Sequence, residues 1–334
     1  MRFKTRVSNV HVLTKVLGSI DKLAKQCALR LTPTRIYFVV LGEAQGSMQV
    51  WSQLSVDLIF TEYRIESVTN NEIYLEIPVD TMLRALRSVQ SLANTSFGGG
   101  DTVIRLTKNG LQPIFIISAS MQSRAGKPLE LVQEVPIRLL SATQMGNIRE
   151  PMVPEPQVHI MMPPLLGLRS IAERLRSISD AIIISANMDG ELILRGESEF
   201  VHVETAFQGL INPEMDMNAS SQSTVTSGNQ GDANDIGSNS SSDNSNSNSN
   251  TRDQRVPLSS ARDKQKFAEA RVDLRSFIKF LHSYHVTPSN VVCCIIEGHA
   301  LVLYVYINSG IGFGSDFSQQ TRGVLTYYLP IRLA

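Results

Sequence analysis

The 334-residue sequence offers few side chains at spacings that suit catalysis. Its six histidines are scattered. His282 and His285 lie three apart within a stretch of helical periodicity, but no HExxH pattern or partnered cysteine pattern accompanies them, so the pair reads as structural or surface. Cys293 and Cys294 fall inside the apolar run VVCCII, where a free thiol behaves as a small core residue. The glycines of GIGFG, Gly310 to Gly314, follow a strand pattern without opening a helix, Gly98 to Gly100 precede another strand, and there is no GKS or GKT. Asn187 to Gly190 lacks the carboxylate ladder of a calcium loop. The chain therefore reads as a non-enzyme with no cofactor and no metal site. Binding chemistry is better represented. Lys15, Lys22, Lys25, Arg84, Arg87, Arg169, Arg174, Arg176, Arg275 and Lys279 recur at helical spacing, and such residues neutralise phosphates without reading bases.

Four stretches of helical period must position those cations: Val10 to Cys27, Thr81 to Ala93, Leu165 to Ile178 and Leu274 to His285. In the first, Leu13, Val16, Leu17, Ile20, Leu23 and Cys27 form one apolar arc. Lys15 and Lys22 lie opposite it, with His11, Ser19 and Gln26 beside them and Lys25 on a flank. In the second, Met82, Leu86, Val89 and Ala93 face inward while Arg84, Arg87, Ser88 and Ser91 face out. The third sets Arg169 and Arg176 outside with Glu173 between them and Arg174 to the side. The fourth groups Arg275, Lys279 and His282 against Leu274, Phe277, Phe280 and Leu281.

The whole chain balances 31 basic against 31 acidic residues, which at first argues against a polyanionic partner. Resolved by segment, residues 9–30, 80–96, 163–180 and 273–286 together carry a net +6, leaving −6 for the remainder. Four acid-poor basic faces on equivalent elements point to a shared polyanion, and the absence of a helix-turn-helix, zinc finger or stacking motif makes that recognition sequence-independent. Three cysteines, two of them adjacent, build no disulfide framework and suggest a reducing compartment. No apolar run reaches the roughly 18–20 residues that span a bilayer, and MRFKTRVSNV lacks a signal-peptide core, so no membrane partner is expected.

Most remaining segments alternate apolar and polar residues with period two, among them RIYFVVL from Arg35, EIYLEIP from Glu72, and the runs Pro113 to Ala119 and Leu301 to Ile307. The order of elements repeats. The first helix precedes ALRLTPTRIYFVV and the third precedes AIIISANMDGELIL; the second follows EIYLEIP and the fourth follows EARVD. Ala28 set against Ala181 gives a shift of 153 and Met82 against Phe277 a shift of 195. The difference of 42 is about the length of an Asn/Ser-rich stretch, Asn218 to Thr251, in which 19 of 34 residues are Ser or Asn. Such a stretch buries too little apolar surface to offset chain entropy and reads as a disordered insert, with outer limits near Asn212 and Lys266.

The arrangement resembles the DNA sliding clamps: an α+β, PCNA-like fold of two repeated domains, each with two helices packed on antiparallel β-sheets. Particular segments are closer still. MRFKT, CALRLTPTRIYF from Cys27, NNEIYLEIP from Asn70, EPMVPEP from Glu150 and SISDAIIISANMDGELIL from Ser177 resemble the Hus-one family of the DNA-damage checkpoint clamp, in that family's order and across both domains.

The resemblance implies clamp domains at 1–138 and 157–334 joined by a connector at 139–156. It also implies a heterotrimeric nuclear ring with Rad-nine-like and Rad-one-like subunits, placed by a clamp loader on double-stranded DNA at damage sites. The ring would signal to checkpoint kinases and recruit repair factors. The ten cations above would line its hole. Subunit joints would pair edge strands, here Glu130, Val132 and Glu134 of the first domain and Val201, Val203 and Thr205 of the second. The connector, an extended strap through Pro151, Val153 and Pro154, would be a docking site for partner peptides. Four serine or threonine residues precede Gln, as checkpoint kinases prefer: Ser52, Thr143, Ser221 and Ser318, of which Ser221 in the insert is the favoured phosphosite. The alternatives are a replicative homotrimeric clamp and an interaction scaffold without DNA contact.

Overall fold

A computed structural model describes residues 1–42, 47–95, 101–122, 128–213, 263–307 and 322–332. The first half runs β1 (Arg2–Val7), α1 (Val10–Ile20), β2 (Gln26–Leu31), β3 (Arg35–Val40), β4 (Gln49–Ser55), the single turn α2 (Val56–Ile59), β5 (Phe60–Glu66), β6 (Ile73–Pro78), α3 (Val79–Thr95), β7 (Asp101–Asn109), β8 (Gln112–Gln122) and β9 (Pro128–Pro136). A connecting stretch holds β10 (Arg138–Leu139) and α4 (Ala142–Gly146). The second half runs β11 (Val158–Met161), α5 (Leu165–Leu175), β12 (Ala181–Ala186), β13 (Leu192–Glu197), β14 (His202–Phe207), β15 (Ala268–Asp273), α6 (Leu274–Leu281), a 3-10 turn (His282–Val286), β16 (Asn290–Ile296), β17 (Ala300–Ile307) and β18 (Gly323–Pro330). No helix among the described residues is long and apolar enough to cross a membrane.

Period-two burial makes the strands and a buried stripe makes the helices. In β6, Ile73, Leu75 and Ile77 are fully buried while the residues between them are half-buried. On α1 the residues Val16, Leu17 and Ile20 are fully buried, and on α6 so are Phe277, Phe280 and Leu281. Asn9 caps α1 by accepting from the Val12 amide at 3.1 Å, and Asp273 caps α6 by accepting from the Ser276 amide at 2.8 Å.

Three antiparallel sheets carry the repeat. Their strand orders are β5-β1-β7-β8-β9, β10-β6-β2-β3-β4-β18-β17-β16-β11, and β14-β13-β12-β15. The run β6-β2-β3-β4 matches β15-β12-β13-β14, and β1-β7-β8-β9 matches β11-β16-β17-β18. Buried positions fix the registers: Leu13 and Ile20 of α1 fall on Leu168 and Leu175 of α5, a shift of 155. Met82 and Leu86 of α3 fall on Phe277 and Leu281 of α6, a shift of 195. The second shift is the one read from sequence. The first differs by two residues, because Cys27 rather than Leu29 is the counterpart of Ile182 in the repeat, Cys27 pairing with Ile77 as Ile182 pairs with Val272, a slip that period-two alternation leaves invisible in sequence. Even the tail repeats: Arg138 pairs with Glu76, and the Arg332 amide donates to the Arg271 carbonyl at 2.7 Å.

Several local expectations are corrected. The first helix ends at Ile20, not Cys27; residues 21–23 turn and Cys27 begins the next core row in β2. Ser19, expected on the outer face, is 1% exposed and donates to the Val16 carbonyl at 2.7 Å. The fourth helical stretch tightens to 3-10 geometry after Leu281. The connector is not a plain strap: Ser141 and Gln144 cap the short α4 reciprocally. Asn212 belongs to the ordered fold, its side-chain amide donating to the carbonyls of His159 at 2.8 Å and Asn187 at 3.1 Å. Residues 214–262, with Ser221 and nearly all of the expected insert, lie outside the described residues, as do Ser318, Gly98 to Gly100 and the glycines 310–314.

Candidate nucleic-acid interface and subunit edges

The helices form one continuous layer. α1 packs on α3, α5 packs on α6, and the 3-10 turn of the second half packs against α1 of the first. Gln90 of α3 and His11 of α1 meet at 3.1 Å, and Lys15 of α1 donates to Thr287 Oγ1 at 3.1 Å across the junction of the halves. Under the layer the buried Tyr327 hydroxyl of β18 faces Ser19 and Ser283, one from each half.

The ten cations are distributed unequally over this layer. Lys22, Lys25, Arg84, Arg87, Arg174, Arg176, Arg275 and Lys279 are exposed, while Lys15 and Arg169 are half-buried. Lys22 and Lys25 follow the end of α1, in the turn and the residue before β2, not on a helical face. Arg84 is held by Asp80 at 3.2 Å, Arg275 approaches Asp180 at 3.6 Å, and Lys22 approaches Asp21 at 3.9 Å. Arg169 is the most constrained: Nε meets Glu173 at 2.7 Å, Nη1 donates to the Tyr284 hydroxyl at 3.3 Å, and the guanidinium lies 5.7 Å from that ring. Among the described residues Lys25, Arg87, Arg174, Arg176 and Lys279 make no ion pair, so their charge is available to a ligand. The sequence reading missed Tyr284, Thr287 and Lys15's bond to the latter, because nothing local signals a contact 272 residues away.

Among the strands at the ends of the three sheets, two carry the residues expected at subunit joints. β9, with Glu130, Val132 and Glu134, is the outer strand of the five-stranded sheet. β14, with Val203 and Thr205, is the outer strand of the four-stranded sheet. Val201 lies one residue before β14, its carbonyl accepting from the Ser198 amide at 2.9 Å, so it is a turn residue and not a strand residue. The repeat gives these edges meaning. β9 corresponds to β18 and β14 to β4, and β18 and β4 pair with each other inside the chain, Tyr327 opposite Val50 and Leu325 opposite Ser52. The chain closes one such joint internally and exposes the two unmatched halves of another.

In the connector, Pro151 and Val153 are half-buried and Pro154 is exposed. Val153 packs on an outer cluster of Val292, Cys294, Val302 and Tyr328, and the Tyr328 hydroxyl donates to Glu150 at 2.7 Å. Thr143 is exposed, whereas Ser52 is 1% exposed inside β4, closed to a kinase while the fold is intact.

A doubled strand–helix repeat whose four repeated helices share one layer, with β9 and β14 at sheet ends, defines a sliding-clamp subunit. The fold matches a solved structure of proliferating cellular nuclear antigen from Entamoeba histolytica, with a TM-score of 0.61 at 12% identity over 99% of each chain. Residues 1–332 match the family described as Hus1-like protein, and the chain belongs to that family. It is 36% identical to checkpoint protein hus1 of Schizosaccharomyces pombe over 98% of each chain. It is also 28% identical to checkpoint protein HUS1 of Homo sapiens over 89% of this chain and 92% of that one. A homologue from Dictyostelium discoideum is 27% identical over 99% of this chain and 98% of its own.

Proposed function

We propose that this chain is the Hus-one-type third of a heterotrimeric checkpoint clamp, acting without catalysis in the nucleus. Residues 1–138 and 157–334 are its two clamp domains and 139–156 its connector. Rad-nine-like and Rad-one-like subunits supply the other four domains, and a clamp loader sets the ring on double-stranded DNA, where it signals to checkpoint kinases and recruits repair factors. The observation that carries the reading is the internal β4–β18 joint, whose counterparts β14 and β9 stand open. Backbone pairing of open edges is a recurrent mode of association.

Carrying the internal register over to that open pair sets Gln133 opposite Val203 and Leu131 opposite Thr205. Glu130, Val132 and Glu134 then face Ala206, Glu204 and His202. Two copies of this chain would bring Glu130 and Glu134 of one edge diagonally against Glu204 of the other, and cross-strand like charges are destabilising. That favours a different chain as neighbour over a homotrimeric replicative clamp. Light scattering on the purified full chain, and on the complex co-purified from damaged cells, tests this: the reading expects a monomer alone and three different chains in the complex. A stable homotrimer sinks it. Charge reversal at Lys22, Arg84, Arg176 and Lys279 in the assembled ring should weaken duplex binding equally for all sequences, with the difference shrinking at high salt. An unchanged affinity favours the scaffold instead.

A further inference from the structure

The 3-10 turn His282–Val286 lies where the helices of the two halves meet, packed against α1 on one side and α5 on the other. The rings of His282 and His285 stand 6.2 Å apart and within 13° of parallel, and His285 rests 4.0 Å from the ring of Tyr284. Tyr284 in turn receives Arg169 from α5. From the first half, Lys15 reaches the end of the turn at Thr287, and Lys22 acts electrostatically on both imidazoles. The facing acids are Glu173, engaged by Arg169 at 2.7 Å, and Asp21, 3.9 Å from Lys22. Lys279 lies one turn earlier on α6. Thr287 ends the turn in the left-handed region, φ 50° and ψ 63°, which β-branched residues rarely enter. Backbone strain of this kind is retained where surrounding contacts over-determine it.

We infer that Lys22, Arg169, His282 and His285 form a site for the phosphodiester backbone of duplex DNA at the junction of the two halves, and that the two imidazoles take up protons when a phosphate group occupies it. The inference rests on the proposed duplex-binding role of the helical layer. Its chemistry follows from the surroundings of the rings. Burial first, then Arg169, the neighbouring His285 and Lys22, hold His282 below its ordinary value, with Glu173 opposing; burial, Arg169 and Lys22 do the same to His285. Unliganded, both rings are therefore neutral at physiological pH. An anionic phosphate reverses the balance, favouring imidazolium, whose two N–H groups both donate. Because binding takes up protons, affinity rises as pH falls, by up to about tenfold per pH unit for each proton, until the free protein is itself protonated.

The test uses the full chain and a short double-stranded DNA oligonucleotide, following the imidazole resonances by NMR and the affinity by fluorescence anisotropy from about pH 8 to about pH 5.5. Duplex should raise the titration midpoints of His282 and His285, and H282Q/H285Q should flatten the rise in affinity at low pH. Duplex that binds with both midpoints unchanged overturns the inference and leaves the proposed function standing. Duplex that fails to bind the full chain at any pH overturns the inference, while duplex binding by the assembled ring decides the proposed function separately. Inorganic pyrophosphate that shifts the midpoints as far as duplex does assigns the site to a free anion and overturns it too.

Discussion

Lys15 and Thr287 are joined by a 3.1 Å hydrogen bond, although one belongs to the first helix of the chain and the other follows the last. The contact ties the helical layers of the two halves on one side of the molecule, while β4 and β18 tie the sheets on the other. The two halves are thus joined through both their helices and their sheets.

Thr287 should be a position where glycine is preferred over alanine. Both T287G and T287A lose the hydroxyl, but only alanine keeps a Cβ in the left-handed region, at a cost of about 1 kcal/mol. Urea unfolding should find T287G the more stable of the two. Equal stabilities, or the reverse order, would show that the residue relaxes in solution.

Gly190 combines φ +82° with a close approach, since a Cβ there would stand 2.4 Å from the Leu210 carbonyl oxygen. Gly110 has φ +60° with nothing within 4 Å. G110A should therefore cost about 1 kcal/mol and G190A about 2–4 kcal/mol, the excess being overpacking against backbone that cannot move aside. Matched denaturation curves for the two variants check the gap, and its absence would mean that the β13–β14 region yields easily.

Charge on β9 should govern self-association. In E130K/E134K the repulsion toward Glu204 of a second copy becomes attraction, so sedimentation at low salt should reveal oligomers that the unaltered chain does not form, dispersing as salt is added. A variant that stays monomeric at every ionic strength argues against β9 and β14 pairing in the register proposed.

Stability should be greatest between about pH 6.5 and about pH 9. On the acid side, burial holds His159 below its usual value, as it does His282 and His285, so their stabilisation is complete above the unfolded imidazole value and is lost as pH falls through the folded ones. Glu72 adds to the loss lower down: burial works against its ionisation, but hydrogen bonds from Arg30 and Tyr74 outweigh it and keep the carboxyl below the usual range. On the alkaline side, burial pushes the Cys27 and Cys293 thiols up to about 12, so the stability they contribute is complete below the unfolded thiol value and is lost as pH rises through about 12. Urea midpoints across pH measure the window; a plateau running unbroken to about pH 5 would contradict the imidazole contribution.

The sequence alone determined the local elements and their faces. Burial of Leu13, Val16, Leu17 and Ile20, and of Phe277, Phe280 and Leu281, follows from spacing, because side-chain direction repeats every 3.6 residues whatever the rest of the fold does. The repeat was legible for the same reason, down to the pairing of Met82 with Phe277. Spacing could not tell where α1 stops, since Leu23 and Cys27 continue its arc while belonging to a turn and a strand. Nor could it tell which cations are free. Arg169 and Arg174 look alike in sequence, but only Arg169 meets Tyr284 from 115 residues away. The tertiary structure alone decided that β4 finds β18 while β9 and β14 are left open, because a strand's edge is satisfied or exposed according to what the distant chain brings beside it.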